Sequence, residues 1–367
     1  EWMNLDPARN ERRSSYVSFL RPHEGRPNLS VRTSAQVCKV LLSPTDGSQA
    51  IAKAEGVEYL MDGKLRRASA RCEVILSAGA LETPRLLMLS GIGHGAELQA
   101  SGVTAIVDLP NVGRNLMDHP NVSLFFKAKQ ETDCHWAQLY GFHRVGQHVP
   151  PGEADSCFVF YSARSSFREG MLRMLPTMAL PRSLYRLGWP KRAMQALIRG
   201  AFRISAVQRL VHRMYGIVVI LGKPESRGQI RIASPNPAEA ALIDSGYFSV
   251  DADLETMVNG VELARKMAGS ASLAAYGNRA LIPGSRSKSR DQIARFIKQN
   301  VMTTYHYAGT CRMGTDLDSV VDGELRVRRV AGLRIADASV IPSVPVSAMN
   351  APSMLIGYRA ARFLTAQ

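Results

Sequence analysis

Two polar side chains near the C-terminal end have the chemistry to act on an alcohol. His306 lies in Thr303-Thr-Tyr-His-Tyr-Ala-Gly-Thr-Cys-Arg-Met-Gly314, and Asn350 lies in Ser347-Ala-Met-Asn-Ala-Pro-Ser353. An imidazole with an ordinary pKa of about 6.5 can take a hydroxyl proton near neutral pH. An asparagine at the mouth of a helix can hold a substrate oxygen without competing for that proton. Spacing alone does not pair them, since a lone histidine in a glycine-rich loop is more often structural. Asp133-Cys-His-Trp136 and His143…His148 match no common zinc spacing, and loop polarity accounts for them, so no metal is expected.

The elements that would position these residues can be read from pattern. Leu29–Leu42 alternates as an extended segment, with a hairpin partner at Ile51–Tyr59. Glu73–Leu76 reads as a strand running into Ser77-Ala-Gly-Ala80, with Thr83-Pro84 opening a helix through Leu89. That transition matters because a helix N-terminus offers unpaired N–H groups to an anion. Asn121–Lys127 and Ile217–Leu221 read as strands, the latter buried with Gln229–Ile232 beside it. Helices are expected over Asp253–Met267, Asp291–Asn300 and about Pro352–Leu364.

Length and composition narrow the classes. At 367 residues, with 46% hydrophobic and 21% charged residues, the chain is globular and long enough for two lobes. Its longest aliphatic run, Ile217–Leu221, is far too short to span a membrane. Five cysteines without a Cys-x-x-Cys pair suit reduced thiols in a cytoplasmic protein. The net charge of +15 could draw nucleic acid or anionic lipid, yet arginine, 36 against 10 lysines, is spread along most of the chain. Codon bias explains that spread, and no nucleic-acid partner is expected. Residues 164–213 are the exception, with eleven Lys/Arg and one acid, Glu169, among Leu, Met, Phe and Ile. That stretch reads either as peripheral membrane contact or as a solvated insertion over a pocket.

Ordered blocks then carry a resemblance. Gly79-Ala-Leu-Glu-Thr-Pro-Arg-Leu-Leu-Met-Leu-Ser-Gly-Ile-Gly93 resembles the second signature of the glucose–methanol–choline (GMC) oxidoreductases, flavin enzymes that oxidise alcohols. Arg26-Pro-Asn-Leu-Ser-Val31, Asn111-Val-Gly-Arg-Asn-Leu-Met-Asp-His119 and Pro224-Glu-Ser-Arg-Gly228 are similar to further family segments, in the family's order. Tyr305–Gly314 and Leu333–Ala351 resemble its C-terminal catalytic and flavin-contact blocks. The likeness is weak only over about 133–215. No Gly-x-Gly-x-x-Gly turn is present; Gly91-Ile-Gly-His-Gly95 comes nearest, and position 96 is Ala. The chain is therefore expected to be the C-terminal portion of a flavoenzyme lacking the N-terminal FAD-binding βαβ unit, and inactive alone.

The resemblance implies an α/β fold: an incomplete Rossmann-like FAD-binding lobe from 1–120 and 301–367, and a substrate lobe from 121–300 built on an antiparallel sheet. It implies FAD as cofactor and oxidation of CH–OH to a carbonyl, with His306 as base and Asn350 orienting the alcohol. It also implies FAD contacts at Val37, Asp337, Ala338, Asn350, Ala351 and Pro352. The electron acceptor, oxygen, quinone or another, stays open. So do two rival functions, a flavin-containing cyanohydrin lyase and an inactive fragment or basic binding module.

Overall fold

A computed structural model describes the chain apart from residues 1–4, 7, 46–50, 133–138, 147–148, 164–167, 169, 173–174, 177–178, 182, 185–186, 285–288 and 367. The Asp133–Trp136 motif and His148 thus lie outside the described residues.

A six-stranded antiparallel sheet carries the middle of the chain. Its order is Leu139–His143, Ser156–Ser162, Met214–Leu221, Pro120–Lys127 and Arg279–Ile282, with Met302–Thr303 also pairing onto Pro120–Lys127. Period-two alternation selects its buried face: Val122, Leu124 and Phe126 stand opposite Val219, Ile217 and Tyr215. Helices Asp251–Ala268 and Arg290–Asn300 cover that face. Gly260 permits the approach, because a Cβ there would meet Val219 Cγ1 at 2.7 Å. Ser289 and Gln292 form a capping box at the start of Arg290–Asn300.

A second core joins segments distant in sequence. Gln36–Pro44 pairs antiparallel with Ala52–Met61, which also pairs with Lys64–Ser69 and, in parallel, with Val330–Ala331. Val74–Leu76 and Leu333–Ile335 form a separate parallel pair that feeds the helix Gly79–Leu89. The mixed α/β class and the hairpin expected from sequence are both present.

Two helix starts and one strand pairing differ from expectation. The first helix begins at Gly79 rather than at Thr83-Pro84, because Gly79 at φ +87° turns the strand directly into it. Pro84 cannot donate to the Ala80 carbonyl one turn back; the Thr310 hydroxyl supplies that bond at 2.6 Å. The last helix starts at Asn350, two residues before Pro352, which then occupies its first turn. Gln229–Arg231 does not neighbour Ile217–Leu221 but pairs with Leu242–Asp244. Gly228 exchanges both backbone bonds with Leu116, which pulls Ile230 and Ile232 into the second core.

Candidate active site

The strand register brings His306 to its surroundings. Thr303 pairs with Pro120 at the edge of the six-stranded sheet, and Asn121 Nδ2 donates to the Met302 carbonyl at 3.1 Å. Just beyond, Met117 and Ala308 exchange backbone hydrogen bonds of 2.9 and 3.0 Å. Segments 117–119 and 304–308 are thereby clamped side by side. The carboxylate of Asp118 fastens the clamp: Oδ1 accepts the His306 backbone N–H at 2.9 Å, and Oδ2 accepts the Tyr247 hydroxyl.

Side chains then converge on one ring nitrogen. His306 Nδ1 lies 3.0 Å from His119 Nδ1 and 3.1 Å from Thr304 Oγ1. The Thr304 hydroxyl donates its own proton to the His119 carbonyl at 2.8 Å. Its oxygen can therefore only accept from His306, which places the proton of neutral His306 on Nδ1. His119 Nδ1 is then a second acceptor for the same N–H, and the proton of neutral His119 sits on Nε2. The Nε2 atom of His306 keeps its lone pair, as a general base requires.

Electrostatics keep both rings neutral. Burial lowers the His306 pKa, partly offset by Asp118. His119 is fully buried, and its pKa falls to about 4, first through burial and then through the neighbouring His306, against the pull of Asp118. Burial and the Asp118 carboxylate together push the Tyr247 hydroxyl well above its ordinary value, so it remains a donor.

Asn350 is held at its backbone through its neighbour. Met349, directly before it, is buried in one cluster with Met117, Ala308, Ile341 and Val344. The same hydrophobic cluster thus holds residues flanking His119, His306 and Asn350. Asn350 and Ala351 are exposed at the start of the helix Asn350–Thr365, which has no side-chain cap. Asp337 sits elsewhere in the same framework. Its Oδ2 accepts Gly79 N–H at 3.0 Å and Thr83 Oγ1 at 2.5 Å, while Oδ1 accepts Ser339 N–H at 2.7 Å. Both oxygens are engaged by the chain itself, so this carboxylate ties the parallel strand pair to the first helix. Ala338 follows, partly exposed, and its carbonyl accepts the Gly309 N–H at 3.2 Å, which links this turn to the His306 segment. Val37 is exposed at the start of Gln36–Pro44, with no described bond to the His306 cluster.

Sequence reasoning singles out His306 and Asn350 as candidates but assigns no role to His119, Asp118, Thr304 or Tyr247. Asp118-His119 does end one of the family-like blocks, which is the one signal available in the chain.

The fold and this site define a class. Family models described as GMC oxidoreductase match residues 2–121 and 224–357, and the chain belongs to that family. The match at 2–121 is to the family's N-terminal model, so the expected lack of an N-terminal FAD unit is not borne out. Among curated relatives, an alcohol dehydrogenase [acceptor] of Pseudomonas putida is 33% identical over 96% of this chain and 61% of its own. Mitochondrial choline dehydrogenase of Mus musculus is 31% identical over 98% of this chain and 57% of its own. Among solved structures, pyridoxine 4-oxidase from Mesorbium loti superposes with a TM-score of 0.77 at 26% identity, covering 97% of this chain and 62% of that one. The chain spans about three fifths of the length of the relatives it matches.

Proposed function

We propose that the His306 site oxidises an alcohol CH–OH to a carbonyl, with FAD as the hydride acceptor. The observation that carries the reading is the commitment of the Thr304 hydroxyl to the His119 carbonyl, which fixes His306 as the Nδ1–H tautomer with Nε2 free. His306 Nε2 takes the hydroxyl proton, while Thr304 Oγ1 and His119 Nδ1 accept from the Nδ1–H side and steady the imidazolium that results. His119, kept neutral by burial, does not draw the proton onward. Asn350 orients the substrate oxygen. The names of the alcohol and choline dehydrogenase relatives support an alcohol as the substrate class.

The residues present fit a flavin. The helix Asn350–Thr365 opens without a side-chain cap, so the exposed N–H groups of Asn350 and Ala351 and the positive helix end face outward. That donor set suits an electron-rich ring edge, whose negative charge on reduction the helix dipole stabilises. Pro352, having no N–H, leaves no donor unmet there. Val37 and Ala338 would add backbone contacts, and Asp337 would hold the Ala338 turn in place. When bound, FAD supplies the two-electron acceptor that no amino-acid side chain provides.

The reading is tested by adding primary alcohols and choline to the flavin-loaded protein without oxygen. Loss of the yellow absorbance of oxidised flavin is expected with at least one of them, and not in His306→Ala at comparable rate. Cyanohydrin cleavage with no bleaching by any alcohol would instead favour a lyase.

A further inference from the structure

The helix Trp189–Ala201 is amphipathic in an unusual sense, because its outward face is apolar. Its inner side is already held: Pro190 and Ile198 are buried, and Gln195 Nε2 donates to the Leu172 carbonyl at 3.1 Å. Trp189, Ala193 and Leu197 recur on successive turns of the opposite side, with Ala196 and Gly200 beside them. Trp189 is 64% and Leu197 75% exposed. Exposed Arg192 and Arg199 line one margin of this stripe. Just past the helix come Ile204, 56% exposed, and the exposed Arg203, Arg209 and Arg213. No Asp or Glu occurs anywhere in residues 170–224. The Glu131 carboxylate approaches His212 at 3.7 Å, at the far end of the following helix Ser205–His212.

We infer that this face, Trp189 to Leu197 with its arginine margin, is a docking surface for an anionic phospholipid bilayer. An exposed tryptophan and leucine on a helix side with no partner among the described residues are poorly placed in water. A Trp/Leu stripe lodged at the acyl boundary with arginines at the headgroups accounts for both sets of residues together. A protein partner would have to present a carboxylate-rich rim around an apolar hollow. A bilayer containing acidic lipids offers that pattern on any patch, and the absence of acids over fifty-odd residues removes the repulsion that would oppose it. No helix among the described residues is long and apolar enough to cross a membrane, so the contact is peripheral. This inference stands apart from the redox reading of the His306 site and survives its failure.

Co-sedimentation of the full chain with phosphatidylcholine–phosphatidylglycerol vesicles, against phosphatidylcholine alone, tests it. Binding is expected to the acidic vesicles, weaker on the neutral ones, and largely lost at about 1 M salt, where screening shortens to about 3 Å. Leu197→Glu and Arg199→Glu should each lower partitioning by at least about fivefold, since one basic charge near the surface contributes about that factor. Both residues are exposed, and neither touches the His306 site, so melting temperature and turnover of soluble substrate should stay as in the parent. Equal sedimentation of parent and variants would overturn the inference. So would a concentration-dependent dimer abolished by Leu197→Glu, since the stripe would then be covered by a second copy.

Discussion

His119 Nδ1 and His306 Nδ1 face each other at 3.0 Å with their rings nearly perpendicular, at 84°. Two like atoms can make that contact only when one carries a proton and the other does not. The Thr304 hydroxyl decides which, because its proton is already given to the His119 carbonyl. On the proposed reading the pair would resemble a carboxylate-supported base with a neutral imidazole as the direct acceptor, the Asp118 carboxylate reaching only the His306 backbone N–H.

If His306 is the base, His306→Ala should lower alcohol turnover by about 10²–10⁴-fold with flavin still bound. Because its pKa is lowered by burial, the acid limb of kcat/KM should fall below the ordinary imidazole value of about 6.5. Activity then rises with pH through that lowered midpoint and stays level above it. A limb centred above 6.5 would point to another group.

Replacing His119 separates positioning from structure. In His119→Asn the amide oxygen stands about where Nδ1 did and can still accept, whereas His119→Ala leaves the Nδ1–H of His306 with Thr304 alone. A neutral hydrogen bond of about 1 kcal/mol corresponds to roughly fivefold in rate, so Ala should cost at least that in kcat and Asn less. A merely structural role would leave the acid limb of the pH profile unmoved in both variants. Its displacement in Ala and recovery in Asn is the expected signature.

The same burial makes His119 a source of acid lability. Its folded pKa is about 4 against an ordinary 6.5, so between these values the unfolded chain binds a proton that the folded chain refuses. Stability is therefore undiminished above about pH 6.5 and falls as pH drops toward 4, by at most about 3 kcal/mol. Urea titrations at pH 7 and pH 5 should show this loss in the parent and a smaller one in His119→Asn. Parallel losses in the two proteins would assign the lability elsewhere, with His306 the next candidate.

How much of this was legible in the chain depends on where the information lies. The strands and helices of the antiparallel lobe are local patterns, and period-two runs such as Val122, Leu124 and Phe126 announce themselves. His306 and Asn350 are legible through their surrounding blocks. His119 is not, because its role arises from the pairing of Thr303 with Pro120 and of Met117 with Ala308, across nearly two hundred residues. Gln229–Arg231 misleads for a similar reason: its apolar residues fit a neighbouring strand, but the Gly228–Leu116 bridge sends it to the other core. Helix starts at Gly79 and Asn350 escape the usual cap rules because neither has a side-chain cap.

Asn350 should matter less than the base. A hydrogen bond to an oxygen that gains charge contributes roughly 1.5–3 kcal/mol, so Asn350→Ala is expected to slow turnover about ten- to a hundredfold, with Asn350→His better tolerated. Met349 anchors the backbone, and Asn350 is exposed, so the melting temperature should barely change. Full activity in Asn350→Ala would remove it from the site.

Asp337 is expected to behave in the opposite way. Its two oxygens accept the buried Ser339 N–H and Thr83 hydroxyl and the partly buried Gly79 N–H, between the parallel strand pair and the first helix. Asp337→Ala would leave those donors without partners in a place water does not easily reach. Each unmet buried group costs about 1–3 kcal/mol, so a loss of several kcal/mol is expected before any cofactor is considered. Asp337→Asn keeps the size and one acceptor oxygen, and should fall between. The decisive comparison is flavin-free parent against flavin-free variant in urea unfolding. A large loss there means the carboxylate serves the fold and shapes the Ala338 turn indirectly. Unchanged flavin-free stability together with weakened flavin binding would mean that Asp337 acts on the cofactor itself.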